Sequence, residues 1–229
     1  MTEPTTSNGA VKPTKETYDQ FQQAYDYLNR SLFKGELPNC LITLQRRNRT
    51  YGYFSGDRFG RTDGLMTDEI ALNPRHFHNR PVIEVLSTLA HEMTHLWQHH
   101  CGKPGRGRYH NREWALRMKA IGLQPSSTGQ EGGAETGDGM DHYILPDGPF
   151  DRAVRVLLAR GFSIQWTETA PPAAASQNED EAEEGDGAES AKSGKRVKYT
   201  CPCCRLNAWA KHDVRLLCGA DMTAMDAVS

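Results

Sequence analysis

The chain has 229 residues, with 27 Lys and Arg against 29 Asp and Glu, and 37% of the residues are apolar. This composition permits one medium domain with a small appendage, and it argues against a uniformly disordered or collagen-like chain. The near-neutral charge balance gives, by itself, no reason to expect a nucleic-acid or membrane partner.

The amino-terminal part of the sequence predicts one helix followed by short strands. Residues 1–13 are polar and predict a flexible leader. From Thr14, a candidate N-cap, apolar side chains recur at spacings of three and four as far as Leu32, which predicts one buried helix face. Three strands are predicted next, at Cys40–Gln45, Thr50–Phe54 and Asp68–Leu72.

The strongest helix pattern covers Pro81–His100, where the proline suits the first turn. A break at Lys103–Arg108 separates it from a second helix, His110–Ile121, which Gly122 closes at the C-cap position. The remaining pattern predicts a loop at Ser126–Gly139, a strand at His142–Leu145, a helix at Phe150–Arg160 and a strand at Phe162–Trp166.

Composition changes sharply after Trp166. The segment 167–197 contains seven acids between Glu179 and Glu189 with no base among them, which predicts a disordered linker. Residues 198–229 form a cysteine-bearing module too small for a hydrophobic core alone, so we expect zinc to stabilise it. Because the sequence has neither a secretory signal nor a membrane-spanning apolar run, we expect a cytoplasmic protein with no membrane partner. In the reducing environment of the cytoplasm, clustered cysteines indicate metal ligands rather than disulfides.

An H-E-x-x-H motif, His91 to His95, lies on the strongest predicted helix. Histidines four residues apart lie one turn apart on nearly the same face, so both imidazoles can reach one metal ion. Glu92 then projects near the open coordination position, where it can take a proton from the water that the metal activates. The alternative is a surface pair of histidines on an amphipathic helix.

A catalytic zinc site requires a third protein ligand. Gln98 and Cys101 stand where the metzincin extension needs glycine and histidine, which excludes that pattern. His99 lies about 12 Å along the helix from His91, too far to share its ion. His100 points away from the ligand face, so both histidines are expected to be helix-end residues.

His110 is the better candidate for the third ligand, because the glycine-rich loop before it allows the chain to turn back. Glu113 and Glu84 are alternative carboxylate ligands. Glu113 is expected to hydrogen-bond to residues that bind the metal rather than to bind the metal itself. The residues alone therefore leave the third ligand open among these three.

The segment HEMTHLWQ on a helix, followed by H-x-x-E-W from His110 and by Ile121-Gly122-Leu123, resembles the SprT-like zinc metallopeptidases, which include the Spartan proteases. The resemblance spans about 18–166 and continues into the C-terminal cysteines. One departure is Asn111, where the family commonly has glycine. This change is expected to alter a turn without removing the ligand.

The resemblance implies an α+β fold, with a zincin-like domain over 14–166 and a small zinc-ribbon-like module over 198–229. It also implies that His91, His95 and His110 bind a catalytic zinc ion and that Glu92 is the catalytic base. The substrate is then a protein, and DNA-associated proteins are the class that the resemblance to crosslink-degrading proteases favours.

Basic residues interleave with aromatic ones before and within the second predicted strand, and others surround the loop before His110. They predict contact with nucleic acid or with an acidic substrate, or, more simply, solvated strand edges and loops. The set comprises Arg46, Arg47, Arg49, Arg58, Arg61, Lys103, Arg106, Arg108 and Arg112, with Tyr51, Tyr53, Phe54 and Phe59.

The C-terminal cysteines are the candidate second zinc site. Cys201 and Cys204 form a C-x-x-C, and Cys218 begins a second knuckle. Asp221 stands where the family ribbon has its fourth cysteine. Because a carboxylate is a harder zinc ligand than a thiolate, His212 or Cys203 stay open as substitutes. A redox dithiol or a metal-free tail would explain the same cysteines without zinc.

The sequence therefore predicts a zinc metallopeptidase with one catalytic zinc ion and a second, structural one in the ribbon. The competing hypothesis is a non-catalytic, zinc-dependent module that binds nucleic acid or protein. The intact Glu92 favours the peptidase, because metal binding alone does not require an acid at that position.

Overall fold

A computed structural model describes residues 11–168, 197–210, 214–220 and 222–228. Contacts divide the chain into two compact units, 1–175 and 176–229, which are described separately. The described residues combine helices and strands, which confirms the α+β class. Most of the predicted leader and linker lies outside the described residues.

Within 11–168, the predicted elements are confirmed except at four places taken up below. The helices are α1 (Pro13–Leu32), α2 (Val82–Cys101), α3 (Arg112–Ile121) and α4 (Pro149–Ala159), with a short 3-10 turn at Pro74–His76. The strands are β1 (Leu41–Leu44), β2 (Gly52–Gly60), β3 (Met66–Leu72), β4 (Leu123–Ser126) and β5 (Asp141–Ile144).

Helix α1 buries the apolar face that its spacing predicts, with Phe21, Tyr25 and Leu28 in the core. The predicted N-cap is wrong: Thr14 lies inside the first turn, and the cap position is Lys12, whose side chain makes no capping hydrogen bond. The helix starts earlier because Pro13 suits the first helical position: its φ is fixed near the helical value, and its missing N–H would have no partner there.

Three strands form a sheet in the order β1-β3-β2, with β3 parallel to β1 and antiparallel to β2. The central strand β3 buries Ile70, Ala71 and Leu72. Strand β2 runs further than predicted, to Gly60, because it continues past a bulge between Ser55 and Phe59 and pairs with the start of β3.

Helix α2 is buried on nearly all sides of its middle section, and Leu86, Leu89, Met93 and Leu96 belong to the core. Trp114 of α3 is fully buried in the same core. Helix α3 ends as predicted at Gly122, whose φ of 93° is the left-handed conformation that favours glycine at this position.

Two further predictions need correction. Leu123–Ser126, whose last residue the sequence pattern places in a loop, is strand β4, which pairs antiparallel with β5. Phe162–Trp166 is not a strand. Its alternation instead buries Phe162 against the core, while the Trp166 indole donates a hydrogen bond to Glu16 of α1 over 2.7 Å.

The second unit contains, in its described residues, a three-stranded antiparallel sheet in the order β7-β6-β8. Its strands are β6 (Val197–Thr200), β7 (Asn207–Ala210) and β8 (Asp226–Val228). A small cluster of Tyr199, Cys201, Cys218 and Met225 is buried beside the sheet. Among the described residues of both units, no helix is long and apolar enough to cross a membrane.

Candidate metal centre

The H-E-x-x-H motif lies in the middle of α2, on the part of the helix that is buried by the sheet and by α3. His91 is 8% exposed and Glu92 5% exposed, and His95 is half-buried. A solvated pair of histidines on an amphipathic helix does not fit this burial, because imidazoles are removed from water only where they find partners.

His110 reaches the motif from the loop before α3. Its backbone forms a β-bridge with Gly137, whose carbonyl accepts the His110 N–H over 2.8 Å. The imidazole Nδ1 of His110 lies 3.0 Å from the same carbonyl oxygen, and its Nε2 lies 3.0 Å from Nε2 of His95. The bridge therefore holds the ring with Nε2 directed at the motif.

His91, His95 and His110 each offer one nitrogen, and these atoms all lie within 4.8 Å of one another. The indole of Trp114 packs against all three rings, with centroid distances of 4.9, 5.3 and 4.4 Å respectively. Because the rings converge over one rigid aromatic side chain, three imidazole nitrogens point into a common space.

His142 of β5 completes the surroundings of His91. Nδ1 of His142 lies 3.1 Å from Nδ1 of His91, and its Nε2 lies 2.9 Å from Oγ of Ser87. The Ser87 hydroxyl in turn donates to the carbonyl of Glu84 over 2.9 Å. With Nδ1 of His91 engaged by His142, Nε2 is the nitrogen of His91 left to bind a metal.

All four imidazoles are held in the neutral form, which is the form that binds metal. Burial, reinforced by the neighbouring histidines, lowers the pKa of His91 well below 6.5. Burial also lowers the pKa of His95 to about 3 and that of His142 to about 4. The pKa of His110 is lowered by burial despite its contact with Gly137.

Glu92 is the one acid of the motif, and burial raises its pKa from 4.5 to about 8. Its carboxylate points towards β2, where a Cβ on Gly52 would lie 3.3 Å from Oε1 of Glu92 and 2.8 Å from the carbonyl oxygen of Ala71. The strand therefore approaches the carboxylate closely only because residue 52 has no side chain.

Neither alternative carboxylate joins the three histidines. Glu113 accepts hydrogen bonds from Gln98 and from the backbone N–H of Lys103, at 2.8 and 2.6 Å. Glu84 is half-exposed and pairs with Arg80 over 3.2 Å. Glu113 nevertheless supports the site indirectly, because it ties the loop before His110 to the end of α2.

Asn111, the departure from the family pattern, is the N-cap of α3. Its φ of −84° is ordinary extended backbone, and its side-chain oxygen accepts the N–H of Trp114 over 3.1 Å. Its amide donates to the carbonyl of Lys103 over 2.9 Å. The turn after His110 therefore needs no glycine, and Asn111 connects it to both neighbouring segments.

The basic and aromatic residues of 46–61 are divided between several environments. Phe54 packs beside the His95 ring, with centroids 6.5 Å apart, whereas Tyr51 and Phe59 are exposed. The guanidinium of Arg47 lies 5.2 Å from the Tyr53 ring centre, and Arg61 pairs with Asp63. Contact with nucleic acid stays a prediction.

In the second unit, one sulfur from each of Cys201, Cys204 and Cys218 lies within 4.8 Å of the other two. Two equivalent turns present them. The carbonyl of Cys201 accepts the N–H of Arg205 over 2.9 Å, and the carbonyl of Cys218 accepts that of Met222 over 2.8 Å. Arg205 and Met222 both have left-handed backbones, with φ of 62° and 58°. The proposed fourth ligands Asp221 and His212 lie outside the described residues.

The sequence marks His142 only weakly and gives no sign of the parts played by Trp114 and Gly52. The signal for His142 is faint, because a lone histidine in a short strand has no helical partner in sequence. Nothing in the residues around Gly52 indicates its approach to Glu92. These three residues reach the centre only through the pairing of β2 with β3, the pairing of β5 with β4, and the packing of α3.

Comparison with known proteins gives two matches. The family model described as "SprT-like family" matches residues 21–131. The "uncharacterized protein in mucB 3′ region" of Salmonella typhimurium is 63% identical over 59 residues, which are 25% of this chain and 80% of that protein. No solved structure matches the chain significantly. The residues matched by the family model include the H-E-x-x-H motif and His110, and they end before His142 and the cysteine module.

Proposed function

The chain belongs to the SprT-like family, and from this premise we propose that it is a zinc-dependent metallopeptidase with a zincin-like catalytic domain. The observation that carries the proposal is the convergence of His91, His95 and His110 beside the buried Glu92. A binding module would use the three imidazoles, but it would have no use for a carboxyl group buried at the same centre.

The donor set fits zinc, which three neutral imidazoles bind in catalytic sites that keep a position open. His91, His95 and His110 would hold the ion, each through one ring nitrogen. When bound, the ion supplies a Lewis acid that lowers the pKa of a water molecule and polarises the scissile carbonyl.

Glu92 moves the proton in the proposed reaction. It accepts a proton from the attacking water and returns it to the leaving amine. Burial raises the pKa of Glu92 to about 8 in the metal-free protein. A divalent cation held by the neighbouring histidines would favour the ionised carboxylate, which is the form that takes up the proton. His142 holds His91 in place during both steps and does not touch the reacting atoms.

We propose proteins associated with DNA as the substrate class. The exposed Phe59 and Arg58 support this, because they offer a ring for base stacking and a charge for phosphates. We also propose that Cys201, Cys204 and Cys218 hold a structural zinc ion in a ribbon, with the fourth ligand open among Asp221, His212 and Cys203.

The test is a Glu92→Gln substitution in the full-length chain. We expect it to retain zinc and to lower cleavage of an unfolded protein such as casein by at least about 100-fold, with or without single-stranded DNA. Glu84→Gln is the matched control on the same helix, since that half-exposed carboxylate does not face the three histidines. His95→Ala should lose both zinc and cleavage.

Two results would contradict the proposal. One is an absence of cleavage by zinc-loaded wild-type protein under all conditions, which would favour the non-catalytic binding module. The other is a Glu92→Gln variant as active as the wild type. Stimulation of the wild type by DNA, absent when Arg58 is replaced by Ala, would support DNA-associated substrates, and equal rates with and without DNA would argue against them.

A further inference from the structure

A second cluster of metal-ligating side chains lies at the C-terminal end of α2. Asp68 of β3 and the consecutive His99 and His100 each offer one atom, and these atoms lie within 4.8 Å of one another. Asp68 is buried, with 6% of its side chain exposed, whereas the two imidazoles are about one third exposed. The carboxylate of the cluster is therefore buried, while its two imidazoles are accessible to solvent.

The bulge in β2 contributes to this cluster. It places Asp57 in the left-handed region, with φ of 49°, and the N–H of Asp57 donates to Oδ1 of Asp68 over 2.8 Å. Oδ2 of Asp57 then lies 3.9 Å from Nε2 of His99. A left-handed aspartate is uncommon, and here it brings a second carboxylate to the edge of the cluster.

His99 is held by the same bulge. A Cβ on Gly56 would lie only 2.7 Å from its ring, so the imidazole rests directly on the backbone of β2. Nε2 of His99 is 3.9 Å from Oδ1 of Asp68, and Nε2 of His100 is 2.6 Å from Oδ2. Both histidines therefore direct Nε2 at one carboxylate, from two sides.

This cluster is separate from the centre formed by His91, His95 and His110. His99 lies four residues beyond His95, about 6 Å further along the helix axis. The ring of Phe54 packs against both histidines, with centroid distances of 6.5 Å to His95 and 5.6 Å to His99. An apolar side chain thus separates the two groups of donors.

We propose that Asp68, His99 and His100 bind a divalent transition-metal ion such as zinc, with the Asp57 carboxylate at the edge of the site. Two imidazoles and a carboxylate are a donor set that zinc accepts, at about 2.0–2.2 Å, and the three donor atoms already lie within 4.8 Å of one another. The bound ion fastens the β2 bulge and β3 to the end of α2.

A plain ion pair between His100 and Asp68 is the simpler explanation of part of the cluster. An ion pair between His100 and Asp68 does not account for the His99 imidazole, whose Nε2 lies 3.9 Å from the other oxygen of Asp68. An ion pair survives the loss of His99, whereas a metal site does not, so His99 is the residue that separates the two explanations.

The experiment measures zinc per full-length chain after equilibrium dialysis, and zinc affinity by competition with a chromophoric chelator. We expect His99→Gln to lose one zinc equivalent, or to weaken one site at least about 10-fold, while keeping the zinc that His95→Ala loses. His78→Gln is the matched control, because His78 is exposed and outside the cluster.

His100→Gln should match His99→Gln, and circular dichroism of both variants establishes that they are folded. Unchanged stoichiometry and affinity in both variants would overturn the proposal and leave the ion pair as the explanation. An equal loss of zinc in His78→Gln would also overturn it, since the binding would then be unspecific. Loss of zinc in His95→Ala alone would confine zinc binding in this unit to the first centre.

Discussion

At the scale of single residues, the centre depends on imidazoles whose second nitrogen is already engaged. His110 is held through Nδ1 by the carbonyl of Gly137, and His91 through Nδ1 by His142. Such partners fix the tautomer and the ring orientation, so that Nε2 faces the proposed metal position without further ordering. Preorganisation of this kind is the property that an H-E-x-x-H pattern alone does not specify.

His142→Gln tests this orientation. We expect zinc affinity and peptide cleavage to fall by about 10- to 100-fold, because the glutamine does not reproduce the contacts to His91 and Ser87. The measurement is a chelator competition for zinc alongside the cleavage rate at saturating zinc. Affinity equal to that of His78→Gln, an exposed control, would show that His142 does not position His91.

The pKa shifts predict how the metal-free protein responds to pH. Because the pKa values of His91, His95, His110 and His142 are depressed, their contribution to folding stability is present above pH 6.5 and is lost as the pH falls towards 4. The raised pKa of Glu92 acts oppositely, so its contribution is present below pH 4.5 and is lost as the pH rises through about 8.

Urea unfolding of chelator-treated protein should therefore show a steep loss of stability below pH 6.5 and a shallower loss, due to Glu92, towards pH 8. Glu92→Gln should reduce the alkaline loss and make the acid loss between pH 6.5 and 4.5 steeper, because the Glu92 contribution in the wild type rises as the pH falls through that range. If the substitution left the profile between pH 6.5 and 8.5 unaltered, the burial of an uncharged Glu92 in the metal-free protein would be refuted.

At the scale of elements, the turn between His110 and α3 is the connection on which the third imidazole depends. Asn111 caps α3, accepts a hydrogen bond from Gln98 over 2.8 Å and donates to Lys103. One side chain thus joins α2, α3 and the intervening loop. The position that the family commonly gives to glycine is here a cap with three hydrogen bonds.

Asn111→Ala should lower the free energy of unfolding by about 1–2 kcal/mol, because the N–H of Trp114 loses its acceptor. Asn111→Gly should lose less at the cap itself, since glycine is tolerated at N-cap positions. Urea denaturation of both variants checks this. Equal stability of Asn111→Ala and the wild type would mean that the cap contributes nothing.

At the scale of the whole molecule, the two units offer different donors. Imidazoles and carboxylates gather in the first unit, and thiolates in the second. The two turns after Cys201 and Cys218 have matching hydrogen bonds, which is the arrangement expected where two knuckles share one ion. Each unit can therefore be tested by a substitution that leaves the other unit intact.

Cys218→Ser should remove one zinc equivalent and one thermal transition, because the buried thiolate is lost from a module with a very small core. Cleavage of an unfolded protein should stay within about two-fold of the wild type if the catalytic zinc is held by the first unit alone. Cys101→Ser, exposed and outside the cysteine cluster, is the control. Unchanged zinc content in Cys218→Ser would argue for a metal-free tail.

Local patterns in the sequence sufficed for the helices, for most strands and for the placing of His91, Glu92 and His95 on one helix. Spacing and end signals act over a few residues, so a single chain displays them directly. They predicted the wrong start for α1, which begins at Pro13 and has no Thr14 cap. They also predicted a strand at Phe162–Trp166, a segment that instead forms hydrogen bonds to side chains of α1.

Tertiary structure alone decided which distant groups meet the motif. The bridge between His110 and Gly137 brings in the third imidazole, and the pairing of β4 with β5 brings His142 to His91. The bulge in β2 places Asp57 beside Asp68 of β3, close to two histidines for which the sequence pattern indicates only a helix end. These contacts join residues far apart in the chain, and their geometry follows from strand register and core packing, which no spacing within one segment encodes.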